Sequence, residues 1–204
     1  MSWEEDSNWE ASWWGKVTST GYYETTKQVI TYAPRMGIII HNDSQGPHII
    51  TKGSILDVGG GPTSMLLLAE GYDLATIVDP CEYPKWTIER YKEIGIEFIK
   101  EKGENLLEIS QISSRVYTEC WIYNVLQHVE DPAKIVSNIR KVSRIIRVFD
   151  WLEVGVAPGH PQNLTRDKMD EWFGGEGSVV QGKGGLQYFG IFLGNHYEDS
   201  NISS

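Results

Sequence analysis

Cysteine is scarce in this chain: Cys81 and Cys120 stand far apart, with no C-x-x-C pair and no histidine beside them. That argues against a disulfide framework and offers no metal-ligand spacing, so no metal is expected. Basic residues are also few, 18 Lys and Arg against 28 Asp and Glu, for a formal net charge of -10. A surface of that sign opposes sequence-independent binding to a phosphate backbone, and nucleic acid is not an expected partner. No apolar run reaches the roughly 18 to 20 residues of a membrane span, and the acidic N-terminal stretch lacks the basic and apolar regions of a signal peptide. The expectation is a soluble, cytoplasmic protein, in which the sequons Asn163-Leu164-Thr165 and Asn201-Ile202-Ser203 carry no sugar. Internal repeats and low-complexity segments are absent as well.

What is present centres on Ser54 to Leu68, S-I-L-D-V-G-G-G-P-T-S-M-L-L-L. Ile55, Leu56 and Val58 read as a short buried strand carrying Asp57. The glycines Gly59, Gly60 and Gly61 permit positive φ and a close backbone approach to a ligand, and Pro62 suits the first position of a helix running to about Glu70. The 204 residues and 23.1 kDa accommodate one α/β domain with an appendage, placed here as residues 54–204 preceded by an arm or lid over residues 1–53. A second strand, Leu74 to Val78, ends at Asp79 and Pro80. An acid about twenty residues past the first, at the end of the second strand of a βαβ unit, is placed to accept ribose hydroxyls, and two carboxylate oxygens suit two vicinal hydroxyls. In the dinucleotide fingerprint the third glycine position is Ser64 here, and Asp57 would repel a pyrophosphate while suiting an ammonium or sulfonium.

The D-x-G-x-G of Asp57 to Gly61 resembles motif I of the class I S-adenosylmethionine (SAM) dependent methyltransferases, with Thr63 in place of that family's third glycine. A second stretch, Asn124-Val125-Leu126-Gln127-His128-Val129-Glu130-Asp131-Pro132, resembles the D-x-L-x-H-V-x-D-P pattern of the broad small-molecule group of these enzymes (methyltransferase type 11), with Asn124 in place of its first acid. The resemblance spans about Ile55 to Leu193. It implies a Rossmann-like α/β fold, a seven-stranded mostly parallel sheet with helices on both faces and an N-terminal helical arm, and SAM as cofactor. It also implies a loop acid for the adenine amino group after strand three, where Glu104 and Asn105 are the candidates, and cofactor contacts from Asn124 and Val125.

Periodicity places further helices over Glu24 to Met36, around Tyr83 to Glu93, after Asp131 and after Thr165. Strands are expected at Ile96 to Ile99, Val116 to Tyr123, Ile145 to Asp150, Ser178 to Gln181 and Gln187 to Leu193, with one antiparallel strand near the sheet edge. Asn124 is not followed by Pro-Pro-Tyr, and the only Pro-Cys, Pro80-Cys81, follows strand two, so amino methylation of nucleic-acid bases and cytosine-C5 methylation are disfavoured. An oxygen of a small molecule or saccharide is the favoured acceptor. His128 is the first candidate for general base and His160, which is also a candidate acceptor contact, is its rival. Trp3, Trp9, Trp13 and Trp14 crowd the arm, and Tyr22, Tyr23 and Tyr32 are the expected lid residues over the cleft. Other readings are a noncatalytic SAM-binding or partner-binding protein on the same fold and a NAD-dependent oxidoreductase. A homo-oligomer is compatible with the sequence, which does not name the acceptor.

Overall fold

A computed structural model describes Ser12 and residues 21–197, so the four tryptophans of the arm lie outside the described residues. Ten strands and five helices follow one another from Gly21 onward. The main sheet has seven strands in the order β6-β5-β3-β7-β8-β10-β9: β6 Ile96–Ile99, β5 Leu74–Val78, β3 Ser54–Val58, β7 Tyr117–Tyr123, β8 Ser143–Leu152, β10 Gly185–Leu193 and β9 Ser178–Gly182. The first five run parallel, and β10 lies antiparallel to both β8 and β9. The expected mixed sheet with an antiparallel strand near its edge is therefore present. Parallel strands buried on both faces require apolar runs, and Leu56, Ile77, Trp121, Ile122, Val148 and Phe149 are fully buried.

Two cores flank the sheet. On one side helix α4, Pro132–Val142, lays Ile135, Val136, Ile139 and Val142 against Leu56, Ile122 and Ile146, and helix α5, Arg166–Phe173, adds Met169 and Phe173. Asp131 caps α4 by accepting the Lys134 N–H at 2.9 Å, with Pro132 at the first helical position, as its sequence predicts. On the other side helix α1, Gly21–Thr31, and helix α2, Lys85–Glu93, contribute Val29 and Tyr91 to a core with Ile55, Trp121 and Phe149. A one-turn helix α3, Ser110–Ser113, precedes β7.

Helix α1 is shorter than its sequence pattern suggests. It ends at Thr31 and continues as turns to Gly37, because Pro34 supplies no N–H and restricts the residue before it. Val29 faces the core, whereas Ile30 is 56% exposed and Ile39 is 72% exposed.

The largest departure lies at the expected helix from Pro62 to Glu70. Residues Gly61–Thr63 and Met65–Leu68 form two separate 3₁₀ turns, followed by a two-residue strand, β4 Ala69–Glu70. The cause is competition for backbone donors. Ser64 N–H donates to the Tyr91 hydroxyl, Met65 N–H to the Tyr123 hydroxyl and Leu66 N–H to Ser64 Oγ, each at 3.0 Å, so an α-helical ladder through these residues is lost. The hairpin β1 Ile40–Asp43 and β2 Gly46–Ile50 then pairs with β4 in a separate three-stranded sheet.

Candidate functional site

The sheet order reverses direction between β3 and β7, and the crevice outside the carboxyl ends of strands at such a point is where open α/β sheets take ligands. The glycine turn leaves β3 there. Gly59 and Gly61 have φ of 74° and 61°, and a Cβ on Gly59 would lie 2.4 Å from the Val125 side chain, so that glycine lets the loop after β7 pack directly on the turn. Gly61 N–H donates to Asp79 Oδ2 at 3.0 Å, which fixes the acid at the end of β5 against the turn at the end of β3. Pro80 follows it, half-buried. The structure thus brings together Asp57, Gly59, Gly60, Gly61, Asp79 and Val125, with Asn124 at the end of β7 beside them.

Asp57 lies behind the turn, fully buried. Its Oδ2 accepts from Ser64 Oγ at 2.6 Å and from the Tyr123 hydroxyl at 2.8 Å, while Oδ1 is buried without a hydrogen-bond partner. Burial pushes its pKa up to about 7 despite those two hydroxyls, and the charge of Asp79 pushes in the same direction. Asp79 is 5% exposed and already carries at least three donors, because Oδ1 also accepts from Cys81 N–H and from the Tyr83 hydroxyl, each at 2.9 Å. Three of its roughly four lone-pair positions are therefore taken, fewer remaining than the two that a diol would use. Glu104 is likewise engaged: Oε1 accepts the N–H groups of Glu130 and Asp131 at 3.1 and 3.2 Å, tying the loop after β6 to the start of α4. Asn105 donates to Glu101 Oε1 at 3.0 Å.

The other wall is the loop after β7. Asn124 sits in the left-handed region at φ 57°, a conformation asparagine tolerates better than most residues. Asp150, fully buried in β8, holds the loop: its Oδ2 accepts Val125 and Leu126 N–H at 3.2 and 2.8 Å and its Oδ1 accepts Trp151 N–H at 2.9 Å. Burial raises its pKa to about 6 against those three amides. Gln127 Nε2 donates to Asn124 Oδ1 and meets His128 Nε2, both at 3.1 Å. His128 Nδ1 lies 2.6 Å from the Gly159 carbonyl, so Nδ1 carries the proton and, in the neutral ring, Nε2 is the accepting nitrogen.

The two histidines proposed from the sequence are neighbours, with ring centroids 4.6 Å apart in an edge-on arrangement. The segment carrying His160 is bound to the loop after β7 through Gln162, whose Nε2 donates to the carbonyls of Val129 and Glu130. Among the expected lid residues, Tyr32 packs against the core on the helix α1 side of the sheet. It stacks on Phe149 at 4.3 Å and lies 6.0 Å from Tyr123, and burial beside Glu24 pushes its pKa up to about 12. Tyr23 is 71% exposed, and the side chain of Tyr22 is outside the described residues.

Three further residues belong to this arrangement. Asp150 lies near the carboxyl end of β8 as Asp57 does in β3, and the rule that singles out an acid near the end of a strand finds it in Ile145 to Asp150 as well. Gln127 lies inside the quoted motif. Tyr83 carries no sequence signal beyond its place four residues after Asp79.

No protein-family model matches the chain, and no curated protein matches it in sequence. Solved structures do match. DhpI in complex with S-adenosylhomocysteine (SAH) superposes with a TM-score of 0.57 at 14% identity, over 95% of this chain and 93% of that one. The chain has the class I methyltransferase fold. The N-methyltransferase NodS from Bradyrhizobium japonicum WM9, also with SAH, gives a TM-score of 0.54 at 14% identity over 70% and 78% of the two chains. Magnesium protoporphyrin IX methyltransferase from Synechocystis PCC 6803 with bound SAM gives 0.50 at 11% identity over 69% of each.

Proposed function

We propose that the protein is a SAM-dependent methyltransferase acting on an oxygen of a small molecule or saccharide. The observation that carries this reading is the hydrogen bond from Gly61 N–H to Asp79, which joins a glycine turn and a strand-end acid at the switch point of the sheet. Among the solved neighbours that share the fold, NodS and the magnesium protoporphyrin IX enzyme are methyltransferases, and all three structures hold SAM or SAH. The residues fit such a cofactor. The unpartnered Asp57 Oδ1 is a buried acceptor suited to an ammonium donor, and a Cβ on Gly61 would meet only the Tyr83 hydroxyl, at 3.7 Å, so the turn leaves room for a ligand on that side.

Asp57, Gly59, Gly60, Gly61, Asp79 and Pro80 hold the cofactor in this proposal, with Glu104 and Asn105 bounding its far end and Asn124 and Val125 its near side. When bound, SAM supplies an electrophilic methyl group for in-line displacement. The chain orients the acceptor, excludes water and takes a proton. Helix α1 contributes to exclusion, since Thr25 and Gln28 bind Thr63 in the turn. We assign the proton to the His128 and His160 pair. His128 Nδ1 is protonated against Gly159, so Nε2 is its only basic nitrogen and Gln127 must release it during transfer.

Calorimetry with SAH tests the cofactor assignment. Asp79→Ala removes the acceptor for the nucleoside and is expected to weaken binding by roughly 1 to 3 kcal/mol, and unchanged affinity would take Asp79 out of the site. Once a transfer is detected against a panel of hydroxylated small molecules and saccharides, single-turnover rates of His128→Ala and His160→Ala assign the base. A loss of about 10² or more in one variant identifies it, and losses under tenfold in both remove the pair from the chemistry. SAH binding without transfer to any acceptor would favour the noncatalytic reading, and a thermal shift with NAD but not SAM would favour the oxidoreductase.

A further inference from the structure

The acid that ends β5 is already occupied by a side chain of its own protein. Tyr83 lies in the connection between β5 and α2, its ring edge-on to Phe98 at 6.2 Å, and its hydroxyl donates to Asp79 Oδ1 at 2.9 Å. The Tyr83 hydroxyl oxygen stands 3.7 Å from where a Cβ would project from Gly61, so the phenol lies beside the open side of the glycine turn. A carboxylate offers about four lone-pair positions. With Gly61 N–H, Cys81 N–H and the Tyr83 hydroxyl already on Asp79, two further hydroxyls do not fit unless a donor leaves. The two backbone donors are set by the turn and by the chain immediately after Asp79. The phenol is the donor that side-chain rotation can remove.

We propose that the Tyr83 hydroxyl and a ribose diol compete for the same acceptor position on Asp79, and that departure of Tyr83 is the step that sets cofactor affinity. The inference rests on the SAM-binding reading above and deepens it. A phenol hydroxyl on a carboxylate is the same donor chemistry as a sugar hydroxyl on a carboxylate, so Tyr83 satisfies the buried acid in the way a ribose hydroxyl would. Its burial, together with the charge of Asp79, keeps the phenol protonated and hence a donor. Apparent affinity is the intrinsic affinity reduced by the fraction of molecules whose site is open. Weakening the hold of Tyr83 on Asp79 therefore strengthens binding, the reverse of what loss of an ordinary contact residue does.

The test is Tyr83→Phe, which keeps the ring and its packing on Phe98 and removes only the hydroxyl. Calorimetric titration with SAH is expected to show affinity higher than that of the unmodified protein by about threefold to tenfold, with the gain in the association rate measured by stopped flow. Equal or weaker affinity in Tyr83→Phe overturns the proposal and makes Tyr83 a structural or ligand-contacting residue. Fluorine NMR of 3-fluorotyrosine-labelled protein provides an independent readout, the Tyr83 resonance being the one absent from Tyr83→Phe. It is expected to move on saturation with SAH, and a resonance that stays in place while SAH binds also overturns the proposal. If neither protein binds SAH, the cofactor reading itself fails, which is a different result from binding without a gain.

Discussion

The two walls of the crevice are each organised by a fully buried carboxylate, and the two carboxylates are served by different donors. Asp57, under the glycine turn, is held by the hydroxyls of Ser64 and Tyr123 and keeps one oxygen without a partner. Asp150, under the loop after β7, is held by the backbone N–H groups of Val125, Leu126 and Trp151. Hydroxyls rotate, whereas backbone donors are fixed by the chain that carries them. The first wall therefore has donors that can be exchanged by rotation, and the second is built to hold one loop geometry. Burial pushes the pKa of both carboxylates up, to about 7 at Asp57 against two hydroxyls and to about 6 at Asp150 against three amides.

The strongest way to break the comparison is at the fixed wall. Asp150→Ala leaves three backbone donors without their acceptor, and each buried unsatisfied group costs about 1 to 3 kcal/mol. Three such groups sum to about 3 to 9 kcal/mol. Because the desolvation cost of the buried carboxylate is removed as well, the expected loss lies in the lower part, about 3 to 6 kcal/mol, read from urea unfolding and accompanied by release of Asn124 from its left-handed conformation. A loss under about 1 kcal/mol would mean that water replaces the carboxylate freely and that the wall is not held from behind.

At the exchangeable wall the expected effect depends on pH. The pKa of Asp57 is raised in the folded protein from its ordinary value of 3.8 to about 7. Between those values the folded state binds more protons than the unfolded one, so stability falls as pH rises through this window and the full penalty is present above about pH 7. Below about pH 4 both states are protonated and the penalty vanishes. Asp57→Asn, which has no charge to bury, should gain stability relative to the unmodified protein as pH rises from 4 to 7, by about 2 to 4 kcal/mol. Parallel stability curves for the two proteins across that range would show that Asp57 is ionised in the fold as readily as in water. A cationic ligand favours ionised Asp57, so SAM affinity should rise with pH through the same window.

The difference between the walls also separates what the sequence made legible from what it did not. The boundaries of β6 and the cap of α4 follow from residues adjacent in the chain, Gly95 before the strand and Asp131-Pro132 before the helix, and both are read correctly. The helix expected after the glycine turn fails because its backbone donors are taken by Tyr91 and Tyr123, which lie 27 and 58 residues away. No local pattern in Pro62 to Glu70 reports those hydroxyls. The same holds for Asp79, whose place at the end of β5 is legible while its occupation by Tyr83 is not. Glu104 is a third case: its place in the loop after β6 is legible, while nothing near it in sequence announces the amides of Glu130 and Asp131, 26 and 27 residues on.

The smallest expected effect concerns how firmly helix α1 is attached to the exchangeable wall. Thr25 Oγ1 donates to the Thr63 carbonyl at 3.1 Å, and Gln28 Nε2 donates to Thr63 Oγ1 at 3.2 Å, so one residue of the turn is held through both its backbone and its side chain. Thr25 is fully buried, and Thr25→Val keeps its shape while leaving the Thr63 carbonyl without this donor. A single neutral hydrogen bond contributes about 0.5 to 1.5 kcal/mol, so the expected loss is about 1 kcal/mol in urea unfolding. If α1 is part of the ligand site, the same substitution should also lower SAH affinity, because the turn it steadies is the one that approaches the ligand. A stability loss with unchanged SAH affinity would confine α1 to packing, and the difference between the walls would then lie in their donors alone.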